Sequence, residues 1–222
     1  AGAFDRPCLL GPLAARHDGL THLHANTQLP VLLGAHTRYE ATGEAAFREL
    51  AGFFVTLLLR TRTFVTGGSS SGEYWGAPNR MGELMAPGEG TTQESCSTHN
   101  MMRLTRALLL TAPTDAELAA HAAYHERALF NSVLGTQRGD APGEMLYWLP
   151  LGAGVSKMDL QRPHHRPGEQ HGWSLPGTTL TGGAAGDFWC CVGSGLEAFT
   201  RLHDSTFFRA TPHRAAPPAA PA

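Results

Sequence analysis

Two short stretches concentrate the residues that could do chemistry: Glu94-Ser95-Cys96 and Cys190-Cys191. Three sulfurs and a carboxylate make four ligands, the number that tetrahedral zinc takes. Glu94 and Cys96 are two apart, which on a regular helix points them to different faces. They could still converge on one ion from a turn just ahead of a helix. The adjacent cysteines likewise call for an irregular turn, and Gly193 and Gly195 give freedom there. Cysteine also packs as a small buried hydrophobe, so spacing by itself leaves a metal site and a packing role both open. No C-x-x-C is present, which rules out a zinc-finger pattern.

Glu73 sits in a Gly-rich loop beside Tyr74 and Trp75. Aromatic rings flanking an acid suit sugar binding, and partial burial would raise the carboxyl toward the range of a general acid. The plainer alternative is a solvated loop glutamate. His22 and His24 lie two apart, and histidines of that kind more often pack or face solvent than bind metal. His164, His165 and His171 could form a second cluster, but nothing in the sequence fixes their geometry. The Gly67-Gly68 loop lacks the Gly-Lys-Ser/Thr ending of a P-loop and the spacing of a dinucleotide fingerprint. There is no Gly-x-Ser-x-Gly elbow either.

Helices must position these groups. Apolar residues recur at helical spacing from Leu20 to Thr42, where Thr42-Gly43 suits a helix end. Glu44 to Arg60 reads as a second helix, with Phe47, Leu50, Phe54, Leu57 and Leu58 on one face. The short linker implies an antiparallel hairpin. Residues 66–72 form a Gly/Ser loop, and Pro78 to Gly90 continues irregular. A third helix begins near Ser97 with Met101, Leu104 and Leu108 inward. A fourth follows Thr114, which with Glu117 fits a capping box. Met145 to Pro150 reads as a short strand and Val155 to Ala185 as a long loop. Asp204 to Arg209 reads as the start of another strand. The Ala/Pro-rich tail, residues 210–222, is expected to be disordered. The fold class is therefore mainly α, with antiparallel helix pairs arranged as a toroid or array.

At 222 residues the chain is long enough for one sizeable core. Lys plus Arg number 17 against 19 Asp plus Glu, with no basic stripe, so nucleic acid is not an expected partner. Apolar runs such as Phe53 to Leu59 fall far short of the roughly 20 residues of a membrane span. Four cysteines would allow two disulfides, but adjacent cysteines fit two separate bridges poorly, and a metal is the better reading. The chain begins at Ala1-Gly2-Ala3 without an initiator Met or a visible export signal, as a fragment would.

The motifs resemble those of glycoside hydrolase family 127, the β-L-arabinofuranosidase-like proteins, and in particular their plant and algal branch. Matching stretches are His24-Ala25-Asn26-Thr27-Gln28, Arg38-Tyr39-Glu40-Ala41-Thr42-Gly43, Thr66-Gly67-Gly68 through Glu73-Tyr74-Trp75, and Glu94-Ser95-Cys96-Ser97-Thr98. Further matches are Tyr124-His125-Glu126-Arg127-Ala128-Leu129, Leu149-Pro150-Leu151 and Phe188 through Gly195. The similarity runs over residues 17–209.

That resemblance implies part of an (α/α)6 barrel over residues 1–209, and a retaining glycosidase with zinc as cofactor. By analogy, Glu94, Cys96, Cys190 and Cys191 hold the zinc, Cys190 is the nucleophile, and Glu73 the acid/base. His24, with Tyr74 and Trp75, falls to the sugar pocket. The implied partner is an arabinose-containing glycan or glycoprotein, together with missing domains of the same protein. By the same analogy the compartment is extracellular or secretory. Two alternatives accompany this reading: an inactive fragment that keeps zinc or carbohydrate binding, and a related glycosidase with another sugar preference.

Overall fold

The computed structural model describes residues 5–86, 92–137, 145–146, 148–154, 173–174 and 190–209. Seven α-helices and four short strands lie within them: α1 (Pro7–Ala14), α2 (Ala25–Thr42), α3 (Ala45–Thr61), α4 (Met81–Leu84), β1 (Thr92–Glu94), α5 (Ser95–Leu110), α6 (Asp115–Ala128), β2 (Met145–Leu146), β3 (Trp148–Pro150), β4 (Trp173–Ser174) and α7 (Cys190–Thr200). The chain is mainly α.

α5 is the hub. Helices α2, α3, α6 and α7 all pack on it, because its sequence buries residues on nearly every side, from Cys96 through Met101, Leu104 and Leu108. Leu29 and Leu32 of α2, Phe54 and Leu58 of α3 and Tyr124 of α6 join them in one continuous core. Each such buried side chain contributes roughly 1.5–3 kcal/mol. α2 stops at Gly43, whose φ of +76° is left-handed and whose N–H reaches Tyr39 O at 2.8 Å. Glycine takes that conformation without a Cβ penalty. At the start of α6, Thr114 Oγ1 accepts from Glu117 N. The Glu117 carboxylate goes instead to Arg48, at 2.6 Å, so only half of the expected capping box forms.

Several expectations are corrected. The helix expected from Leu20 begins only at Ala25. Asp18 Oδ1 takes the Leu20 N–H, His22 turns to a φ of +67°, and His22 N bonds Trp75 O. A helical turn, α4, interrupts the irregular segment after Pro78. The strand expected at Met145 to Pro150 is two strands with different partners: β2 pairs with β4, and β3 with β1, both antiparallel. Leu202–Ser205 is a 3-10 helix, where a strand was expected to begin at Asp204. Its Arg201 and Arg106 neighbours both bind Asp204 and tie it back to helices. The Ala/Pro tail and most of the long loop, with His164, His165 and His171, lie outside the described residues. No described helix is long and apolar enough to cross a membrane.

Candidate active site

β1 and α5 meet without a loop, and Glu94 occupies the junction. It is the last residue of the strand, opposite Trp148 of β3, and the extended residue that precedes the first helical turn. The strand-to-helix change of direction lets a carboxylate and a thiol two positions apart turn toward one point. Ser97 Oγ donates to Glu94 Oε2 at 2.6 Å and Thr98 Oγ1 to Glu94 O at 3.1 Å. The first holds the carboxylate at the helix entrance, and the second ties the Glu94 main-chain carbonyl to the first turn.

The vicinal cysteines open α7, where an irregular turn was expected. Successive helical positions are about 100° apart, and that rotation separates the pair. Cys191 is fully buried, and Cys190 is exposed. Packing of α7 on α5 brings the two motifs together. Cys191 Sγ lies 3.0 Å from Cys96 Sγ and 3.6 Å from Glu94 Oε1, and accepts from the Cys96 N–H at 3.3 Å. One ligand atom from each of Glu94, Cys96, Cys190 and Cys191 falls within 4.8 Å of the others.

This donor set fits a soft, tetrahedral dication. Burial pushes the Glu94 carboxyl up to about 7, reinforced by Cys190 and Glu73 and opposed by the Ser97 hydroxyl and His24. Its hydrogen bond with Cys190, followed by burial, holds the Cys96 thiol far above its ordinary range, against the pull of Cys191. Burial does the same to Cys191. The two buried thiols and the Glu94 acid resist ionisation when packed this closely, a cost that a bound cation would offset, and zinc is bound by Cys and carboxylate ligands of this kind.

Glu73 belongs to the same neighbourhood, since its charge and that of His24 are felt at Glu94. It lies in the tight turn from Ser71 to Tyr74 with a φ of +73°, a costly conformation for a side chain with a Cβ. Such local strain is commonest at functional sites. The turn is held to the segment before α2 by Ala25 N–Glu73 O at 2.8 Å and Trp75 N–Leu23 O at 3.1 Å. His24 Nε2 comes 3.5 Å from Glu73 Oε2. Tyr74 stands edge-on to the His24 ring, 5.3 Å between centroids, and is half exposed.

Trp75 behaves differently from its expected place at the sugar. It is fully buried, packs edge-on to Phe54 and donates from Nε1 to Ser69 Oγ, so it supports the loop from beneath. Other contributors escape a reading of motifs. Ser194 Oγ donates to Cys96 Sγ at 3.1 Å. Gln93 Oε1 receives both Thr66 Oγ1 and Gly68 N, locking the Gly/Ser loop to β1. Only Ser97, one helical turn from Glu94, carries a spacing that could have disclosed it.

Residues 1–204 match the family described as "Beta-L-arabinofuranosidase, GH127 catalytic domain". The chain belongs to that family. Its fold is similar to that of a GH127 β-L-arabinofuranosidase from Geobacillus stearothermophilus T6, with a TM-score of 0.60 at 16% identity over 90% of this chain. The chain spans 28% of the length of that solved relative. No curated protein matches it in sequence.

Proposed function

We propose that the chain carries the catalytic centre of a retaining glycoside hydrolase that removes terminal β-L-arabinofuranosides from an arabinose-containing glycan or glycoprotein. The carrying observation is the convergence of Glu94, Cys96, Cys190 and Cys191 with Cys190 alone open to solvent. Three donors are in place to anchor a metal, and the fourth can meet a substrate.

Bound zinc would supply the positive charge that keeps these thiols deprotonated at neutral pH, where an ordinary cysteine with a pKa near 8.5 is mostly protonated. Cys190 Sγ attacks the anomeric carbon and forms the S–C1 bond as the C1–O bond to the leaving group breaks. Glu73 gives its proton to the departing oxygen. It then accepts a proton from water as that water attacks C1 and releases Cys190. Two displacements retain the configuration, and the thiol stands where most retaining glycosidases place a carboxylate. His24 and Tyr74 flank Glu73 and contact the sugar.

A chromogenic β-L-arabinofuranoside assay run beside zinc analysis tests this reading. Turnover with one zinc per chain supports it. Zinc near one equivalent without turnover selects a second reading, a non-catalytic piece that keeps metal or carbohydrate binding.

A further inference from the structure

Arg62 is fully buried, yet none of its guanidinium contacts lies in the apolar core. Nη1 meets Asp18 Oδ2 at 2.7 Å, Nη2 donates to Thr21 Oγ1 at 3.1 Å and Nε to Gly76 O at 3.0 Å. Nη1 also reaches the neighbouring Thr61 Oγ1. From the end of α3 the side chain therefore grips two separate loops, residues 18–21 and Gly76. Beyond this grip the same loops run side by side through three backbone bonds: His22 N–Trp75 O, Trp75 N–Leu23 O and Ala25 N–Glu73 O. The far end of that ladder holds the His24–Glu73 pair, 3.5 Å apart.

Both loops contain a residue in the left-handed region, His22 at +67° and Glu73 at +73°. Such conformations cost about 1–3 kcal/mol each and persist only where the surroundings over-determine them. Arg62 provides that restraint with a rigid planar fork, which a flexible cation could not reproduce. We infer that Arg62 is a positioning residue of the active site, setting the register of the 18–25 segment against the 73–76 segment and thereby holding His24 to Glu73. The inference rests on the reading of Glu73 as the acid/base.

The test uses Arg62→Met, with the near-isosteric Asp18→Asn as a milder break of the same contact. Amide hydrogen exchange reads the clamp without turnover. The His22, Ala25 and Trp75 amides should exchange at least ~10-fold faster in both variants, while α5 and α6 amides stay as protected as before. Unchanged protection in the ladder overturns the inference. Turnover supplies the second arm, as kcat/KM on an alkyl arabinofuranoside, whose leaving group needs a proton, and on a nitrophenyl one, which needs little help. Arg62→Met should lose roughly 10- to 100-fold on the alkyl substrate and less than about 3-fold on the aryl one, given the usual worth of a placed general acid. Equal losses on both substrates indicate general weakening and overturn the positioning role. Adding Arg62→Met to Glu73→Gln should cost nothing further on the alkyl substrate; an additive loss contradicts the inference. Glu73→Gln alone separates the two ideas. If it leaves alkyl cleavage intact, the acid/base reading falls, while the exchange result still decides whether Arg62 holds the ladder.

Discussion

Cys96 and Cys191 hold their sulfurs 3.0 Å apart across 95 positions of sequence. One is in the first turn of α5 and the other at the start of α7, so the contact depends on the packing of those helices rather than on any local motif. Both are fully buried. A metal drawn from these donors would therefore tie the two helices together as well as serve chemistry.

Metal removal should consequently destabilise the fold. A ligand present at 100 times its Kd stabilises by about 2.7 kcal/mol, which for a chain of this size corresponds to roughly 5–10 °C in Tm. Chelation of the zinc-loaded chain should lower Tm by that order, and Cys96→Ser or Cys191→Ser should abolish the difference. Identical melting curves with and without chelator would contradict a structural contribution from the metal.

The exposed cysteine should separate from its neighbours in function. Cys190→Ala should reduce turnover by at least ~1,000-fold, as expected for loss of a nucleophile, while Tm stays within a few degrees of the parent. Cys191→Ala should lose zinc and stability together. Kinetics and metal analysis on the two variants check the contrast, and appreciable turnover by Cys190→Ala would remove it from the nucleophile's role.

Gly67 should tolerate no side chain. A Cβ there would lie 2.8 Å from the Ala128 Cα of α6, at a φ of +104°, and Tyr124 Oη already donates to Gly67 O at 2.9 Å. Gly67→Ala should cost about 2 kcal/mol or more through overpacking and backbone strain. Gly72→Ala, at a φ of +55° with open space around it, should cost less. Urea midpoints at constant m-value measure both.

Buried histidines should make stability pH-dependent. Burial lowers the pKa of His36, His99, His121 and His125 from the ordinary 6.5. The unfolded chain therefore takes up protons below about pH 6.5 that the native chain resists. Their contribution to stability is steady above that pH and declines as pH falls through this window. In the metal-free chain Glu94, raised to about 7, acts with the opposite sign between its ordinary 4.5 and 7, so the histidine effect is isolated by difference. His121→Gln should flatten the acid-side slope by at most ~1.4 kcal/mol per pH unit. An unchanged slope in urea titrations from pH 5 to 7.5 would rule His121 out as a contributor.

The helices were legible where apolar spacing is regular. Phe54 and Leu58 in α3, and Met101, Leu104 and Leu108 in α5, repeat at helical intervals, and all five are buried. α7 was not legible, because Gly193 and Gly195 argue against a helix by propensity and only packing on α5 overrides them. The strand pairing of Glu94 with Trp148 is a long-range contact without a local signature. The four candidate ligands could be named from residue type and family resemblance, but their common point required the packed structure. Trp75 shows the reverse failure: an aromatic beside an acid suggests a sugar platform, and burial against Phe54 makes it a support. Arg62 carried no signal at all, since an arginine at a helix end usually faces water.

The central claim, that Glu94, Cys96, Cys190 and Cys191 form one zinc site, is tested most directly by zinc-edge X-ray absorption on the chain loaded with one equivalent of zinc. The account predicts three sulfur scatterers at about 2.3 Å and one oxygen at about 2.0–2.2 Å, with a sulfur lost in Cys191→Ser. A first shell made only of oxygen and nitrogen, or failure to retain one equivalent of zinc, would contradict it.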